Sequence, residues 1–365
     1  MLVPFALALL VGSFVSSTVL TAVAKRIAPR VGLVAYPKAD RYHRSIIPLG
    51  GGVAIFLTLA LFLVAGAAAM RFLLVPGHFG WLAERAGLNP ADFLRHAGEL
   101  LALILCATIL FLVGLWDDKH ALGPFVKLVF QFLVAFLAAA FADVRVEFFI
   151  QSRIVTSILS AFWIVLIVNA FNFLDNMDGA SAGIAAIASS VLLTAAAFNG
   201  QVFVSGLAII FIGALLGFLV FNFPPASIFM GDAGSLVVGF FVALLTLRTT
   251  YYHQAQSGSW YPVLLPLIAM AVPLYDFTSV TLLRIRQGKS PFVGDTQHFS
   301  HRLRRRGLTD TQTALTLYLA TLCTGLGGTF LYQVNLIGAI LIVGQTLLIV
   351  GIIGVFESTG KTEDR

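Results

Sequence analysis

The sequence predicts an all-α polytopic membrane protein of about eleven transmembrane helices, with the N-terminus outside and the C-terminus cytoplasmic. Three observations predict it. Of the 365 residues, 59% are hydrophobic and 11% charged, against about 25% charged in an ordinary soluble domain. Apolar runs near the roughly 20 residues that cross a bilayer recur along the whole chain. Basic residues concentrate in alternate segments between those runs, as the positive-inside rule expects of cytoplasmic loops. No polar segment approaches the ~50 residues of a small soluble domain, so residues 1–365 are expected to form a single integral membrane domain.

The candidate spans lie at roughly 2–24, 49–75, 99–116, 123–142, 154–170, 180–198, 202–221, 235–248, 261–283, 311–331 and 334–356. The run at 235–248 is short, and only Asn199-Gly200-Gln201 separates the sixth span from the seventh. No Lys or Arg precedes the first span, and Lys25-Arg26 follows it. That charge order is the reverse of a cleaved signal peptide. Numbering each gap by the span it follows, Lys25, Arg26, Arg30, Lys38, Arg41 and Arg44 fall in gap 1, Lys119 and Lys127 at gap 3, and Arg284, Arg286, Lys289, Arg302 and Arg304–Arg306 in gap 9. Odd gaps therefore read as cytoplasmic, as does the tail with Lys361 and Arg365. Cys106 and Cys323 sit inside apolar runs; they offer neither a disulfide framework nor metal-ligand spacing and read as packing residues.

The unusual polar clusters also fall in the odd gaps, on one face of the membrane. A carboxylate at mid-bilayer costs about 2.5–3.5 kcal/mol, and these acids sit at span ends, where the cost is lower. They point to a site opening to the cytosol. Gap 1 runs Ala35-Tyr36-Pro37-Lys38-Ala39-Asp40-Arg41-Tyr42-His43-Arg44 into Gly50-Gly51-Gly52. Its cations could meet phosphates and its glycines allow close backbone approach; a charged flank with a tight turn is the plain alternative. Gap 2 carries His78 and His96 without apparent chemistry. Gap 3 opens on Gly114-Leu115-Trp116-Asp117-Asp118-Lys119. Adjacent carboxylates repel, so the pair calls for a cation or a proton-transfer role, unless it only ends a span.

Gap 5 is the most informative stretch: Asn169, Asn172, Asp175 and Asp178 recur every third residue up to Gly179. Such spacing places neighbours on one helical face, here a row of oxygen ligands suited to a hard cation such as Mg2+. A polar helix end is the alternative. Gap 7 reads Asn222-Phe223-Pro224-Pro225, then Phe229-Met230-Gly231-Asp232-Ala233-Gly234-Ser235. The prolines break the helix, and Asp232 stands between glycines, as a ligand or as a helix cap. Asp276 lies inside span nine, about 12 Å from Arg284 along a helix; it is functional or a structural partner of Arg284 or a neighbouring helix. Gap 9 reads Asp295, His298, His301, Arg302 and then Arg304–Arg306. His298, His301 and Arg302 suit a pyrophosphate, while zinc would need more ligands.

With these segments in hand, the chain resembles the polyprenyl-phosphate N-acetylhexosamine-1-phosphate transferases (glycosyltransferase family 4), which include WecA-like, TagO-like and MraY-like enzymes. The resemblance covers about Pro37 to Leu317. It rests on Asp117-Asp118, on Asn169 to Gly179, on Phe229 to Ser235, and on Asp295 to Leu303. The last motif and the span count look more like the WecA/TagO branch. Four positions depart from that pattern: Ser300 replaces a histidine, Ala35 replaces the opening acid of an Asp-x-Pro, Asp40 stands where Arg is common, and Asn176 lies between the two acids. The departures bear on nucleotide-sugar selectivity and turnover and leave the metal carboxylates intact.

The resemblance implies transfer of a sugar-1-phosphate from a UDP-N-acetylhexosamine to undecaprenyl phosphate, with UMP leaving, at a bacterial inner membrane and on its cytoplasmic side. It implies Mg2+, with Mn2+ as a substitute, held by Asp118 and Asp232. Asp117, Asp118 and Asp232 would be catalytic. Asp117 would take the lipid phosphate's proton, or an aspartyl group would act as nucleophile in a two-step route. Asn172, Asp175, Asp178, His43, His298, His301 and Arg302 would bind substrate, and apolar grooves would hold the prenyl chain. Membrane lipid is a partner, nucleic acid is not, and a homodimer is left open, as are the sugar and the polymer. Two rivals stand beside this reading: a catalytically silent relative that binds the lipid carrier, and a secondary transporter. A transporter would show paired repeats and acids at mid-depth; the sequence shows neither.

Overall fold

The computed structural model describes residues 2–36, 46–85, 89–145, 150, 152–249, 251, 259–290 and 297–358. Along them run α1 (Leu2–Ile27), α2 (Gly51–Ala69), α3 (Gly80–Arg85), α4 (Pro90–His120), α5 (Pro124–Phe141), α6 (Arg153–Leu174) and α7 (Ala180–Phe198). They continue with α8 (Val202–Asn222), α9 (Asp232–Arg248), α10 (Leu265–Ala269), α11 (Ala271–Arg286), α12 (Phe299–Arg305), α13 (Asp310–Thr329) and α14 (Leu336–Ser358). Strand pairing among the described residues is confined to a two-stranded antiparallel ribbon, β1 (Val34–Ala35) with β2 (Ile47–Pro48), and one bridge from Leu49 to Phe229. This is an all-α polytopic membrane protein.

Each of the eleven expected spans is a helix or a broken helix. Nine helices among the described residues are long and apolar enough to cross a bilayer, and a bent pair makes ten. The pair is Tyr261–Ala269 and Ala271–Arg286, meeting at 63°. Pro273 lacks the N–H that would bond the Ala269 carbonyl, so the helical ladder is interrupted at the bend. The eleventh is α9. At 17 residues it spans about 25 Å, shorter than its neighbours.

That short helix is the centre of the molecule. Every residue from Ala233 to Thr246 is buried, as expected of a helix that is apolar all round. It runs antiparallel to α4, tied at one end by Asp118 to the backbone of Asp232 and at the other by Glu99 to Arg248 at 3.2 Å. It crosses α6 where the Trp163 indole N–H donates to Thr246 Oγ1 at 2.8 Å. The packing is close because small residues line it, the usual solution where the hydrophobic effect does not drive helices together. On the outside, α1 lies against α8, with the Ser17 hydroxyl donating to the Ala214 carbonyl at 2.6 Å. Many large apolar side chains of α1 and α14 stay exposed, as lipid-facing residues should. Cys106 is buried, as expected of a packing residue, whereas Cys323 is exposed on α13.

Candidate functional site

The C-terminus of α4, the start of α5, the C-terminus of α6 and the start of α9 meet at one end of the bundle. Asp117 and Asp118 occupy the last turns of α4. Asp118 turns to α9, whose first residues have no cap of their own. Its carboxylate accepts the Asp232 N–H at 2.7 Å and the Ala233 N–H at 3.1 Å. Those N–H groups have no partner inside the helix, and the positive end of the helix favours a carboxylate there. Two glycines permit the approach. Gly231 holds φ at 72°, and a Cβ on Gly114 would sit 2.4 Å from the Asp232 carbonyl oxygen.

This arrangement frees the Asp232 side chain. It is the first residue of α9 but caps nothing; its Oδ1 accepts from Asn172 Nδ2 at 2.8 Å and its Oδ2 from Lys127 Nζ at 2.8 Å. Lys127 Nζ also donates to Asp117 Oδ2 at 2.8 Å. One ammonium thus stands between two carboxylates that are 115 residues apart in sequence numbering (117 and 232). Lys127 and Asp232 keep 22% and 25% of their side chains exposed, so the cluster is reachable from outside. Asp117 Oδ1 accepts the Leu122 N–H, which folds the turn between α4 and α5 back onto the acid. Ser235, a possible cap for α9, instead receives the second Asn172 donor contact at 2.8 Å.

In the sequence alone Lys127 reads only as a cytoplasmic-side charge. Its signal was present: a lysine just inside an apolar span, with Gln131 one turn further on the same face. Gln131 Oε1 accepts from Asn169 Nδ2 at 2.6 Å, so that face of α5 meets Asn169 of α6 as well as the acids.

The expected row of oxygen ligands on one helical face is corrected here. Helix α6 ends at Leu174, so only Asn169 and Asn172 share a helix, and they serve different partners. Asp175 is the first residue past the helix. Asp178 lies in the following turn, where its Oδ2 accepts the Ala226 N–H at 2.8 Å and so holds gap 7 against gap 5. Gly179, at φ 72°, makes that turn; its N–H donates to Asn222 Oδ1 at 3.0 Å. The glycine run of gap 1 has a similar use. The Gly51 and Gly52 N–H groups donate to the carbonyls of Phe229 and Met230 at 3.0 and 2.9 Å, so the close approach is to the protein's own loop. His43, with Lys38, Asp40, Arg41 and Arg44, lies outside the described residues, as does Asp295.

The gap 9 arm docks on the gap 5 turn. Ser300 Oγ donates to Asn176 Oδ1, so two of the positions that depart from the family pattern contact each other. His298 and His301 are both buried, at 5% exposure each. Burial, and secondly His298, push the His301 imidazole down to about 4, so it is neutral at pH 7. Arg302 turns to α11 and α14, donating to Ser279 Oγ at 2.7 Å and pairing with Glu357 at 3.2 Å. It is thereby anchored away from the Asp117–Lys127–Asp232 contacts.

Among the described residues no three His, Cys, Asp or Glu side chains form a ready metal cluster. Mg2+ does not require one, because it commonly binds one or two carboxylates together with substrate phosphates and waters. The donor set fits it. Asp117 Oδ2 and Asp232 Oδ2 converge on one cation, the Lys127 ammonium, and three carboxylates with one ammonium leave an excess of negative charge for a divalent ion.

The glycosyl transferase family 4 profile matches residues 100–250. A Bacillus subtilis (strain 168) protein named probable undecaprenyl-phosphate N-acetylglucosaminyl 1-phosphate transferase is 30% identical over 84% of this chain and 79% of its own length. The chain belongs to glycosyl transferase family 4. Two further relatives widen the comparison. The undecaprenyl-phosphate alpha-N-acetylglucosaminyl 1-phosphate transferase of Salmonella typhi is 29% identical over 90% of this chain and 84% of its own. The decaprenyl-phosphate N-acetylglucosaminephosphotransferase of Mycobacterium tuberculosis (strain CDC 1551 / Oshkosh) is 27% identical over 89% and 84%. The profile's stretch holds Asp117, Asp118, Lys127, Asn172, Asp175, Asp178 and Asp232, so the family match and the contact cluster coincide. The gap 9 arm lies beyond it.

Proposed function

We propose that this family 4 glycosyl transferase moves N-acetylhexosamine-1-phosphate from a UDP-sugar to a polyprenyl phosphate, releasing UMP. N-acetylglucosamine is the favoured sugar, since the relatives are named for it. The observation that carries the reading is the Asp117–Lys127–Asp232 cluster at one end of a membrane bundle. Both substrates are anions and one is a lipid, so the reacting groups must meet where the membrane ends. The basic residues of the odd gaps favour the cytoplasmic side of a bacterial inner membrane for that end.

Asp232 would hold Mg2+ together with Asp118, which also fixes the helix that carries Asp232, and Asp117 would stay free for the proton. Bound there, the ion would neutralise the diphosphate. Asp117 would accept the lipid phosphate's proton and leave its oxygen free to attack. Lys127 would keep the two acids paired before substrate arrives and then face a phosphate. Asn172 would orient Asp232, and Asp175 and Asp178 would shape the nucleotide side. The test is UMP release by purified protein with undecaprenyl phosphate, Mg2+ and a panel of UDP-sugars. The expected outcome is release that needs lipid and metal and is abolished by Asp117→Asn and by Asp232→Asn. No release across the panel from folded protein would sink the reading in favour of a silent, lipid-binding relative.

A further inference from the structure

Asp276 is fully buried on α11, at 0% exposure, and lies outside the acid cluster. Its Oδ1 accepts the Phe299 N–H at 2.6 Å, and its Oδ2 stands 3.0 Å from His298 Nδ1. The other ring nitrogen, Nε2, is 3.4 Å from an Arg284 guanidinium nitrogen. A guanidinium can only donate and a carboxylate accepts. One neutral tautomer satisfies both neighbours: the proton on Nδ1 and the lone pair on Nε2. His298 therefore spends both nitrogens on protein partners.

The far end of this relay reaches the gap 5 motif. The Arg284 guanidinium, itself 2% exposed, sits 5.0 Å above the Phe173 ring. His298 meets the same ring edge-on at 5.4 Å. Phe173 follows Asn172, the residue that holds Asp232. We propose that Asp276 is a positioning residue: it locks His298 in the Nδ1-protonated tautomer, so that Nε2 holds Arg284 on Phe173 and keeps the gap 9 arm in register with the Asn172 end of α6. His298 then acts in orienting the arm and the end of α6, in place of contacting the diphosphate. The kinetic consequence rests on the transferase reading above; the tautomer does not.

The experiment uses full-length protein in lipid nanodiscs, labelled with 15N in the histidine rings, with His298→Asn to assign the His298 signals. The wild type is expected to show His298 protonated on Nδ1. In Asp276→Asn the amide oxygen still accepts from Phe299, so its NH2 faces Nδ1. The proton is then expected on Nε2, and kcat for UMP release is expected to fall about 10–100-fold, as for other partners that orient a functional histidine. Asp276→Glu should restore the wild-type tautomer and part of kcat. An Nε2-protonated His298 in the wild type overturns the proposal without any variant. So does an Asp276→Asn protein that loses kcat with the tautomer unchanged, because Asp276 would then be merely structural. A wild type that shows the expected tautomer and releases no UMP would sink the transferase reading and leave this one standing.

Discussion

Lys127 carries two carboxylates on one ammonium, and nothing else in the described cluster could do so. Without it, Asp117 and Asp232 would face each other as like charges. Lys127→Met is expected to lower the rate of UMP release by about 100-fold or more, in the range seen when a preorganised charge is removed from a reacting site. Lys127→Arg should recover only part of it, because a planar fork does not replace a point charge between two acids. The measurement is UMP release from protein shown to be folded by size exclusion; full activity in Lys127→Met would remove the residue from the mechanism. At this scale the sequence identified the acids by their motifs. It could not identify their partners, since three helices, α6 to α8, separate Lys127 from Asp232 along the chain.

At the scale of elements, α9 is built to be held at its ends. Its length falls short of the other spans, it has no cap of its own, and Asp118 supplies one from α4. The contact depends on Gly114, where a Cβ would lie 2.4 Å from the Asp232 carbonyl oxygen and 2.5 Å from Ala233 N. Gly114→Val is expected to cost about 1–3 kcal/mol, the range of overpacking in a filled core, and to displace Asp232. A fall in melting temperature in detergent, together with lost UMP release, is the expected result. Gly98→Ala on the same helix meets nothing within 4 Å and serves as the control; equal losses in both variants would contradict the assignment. The run at 235–248 looked weakest as a span because a short apolar run gives no periodicity from which to tell a buried helix from a lipid-facing one.

For the whole molecule, the helix directions place the acid cluster and the gap 9 arm at one end and the Glu99–Arg248 pair at the other. The proposed orientation, argued from the basic residues of the odd gaps, turns the first end to the cytoplasm. In a variant with Cys106 and Cys323 replaced by alanine, Ser290→Cys should react with a membrane-impermeant maleimide only after the membrane is opened. Phe79→Cys, at the opposite end, should react in intact cells. The inverse pattern would reverse the orientation.

The sequence by itself determined the class of the protein and where its apolar helices run, and it picked out the acids by motif, because hydrophobic length and motif chemistry are local properties. It also located the gap 9 arm and the turn at Gly179. Tertiary structure decided what those residues do. It ended α6 at Leu174 and so separated Asn172 from Asp175 and Asp178, which a continued three-residue spacing had placed on one face. It turned Asp118 into the cap of α9, set Lys127 between two acids, and gave His298 to Asp276 and Arg284. Each of these is a contact between ends of different helices. Such contacts depend on how far each helix runs and which small residues let it approach, and no periodicity within a single segment records that.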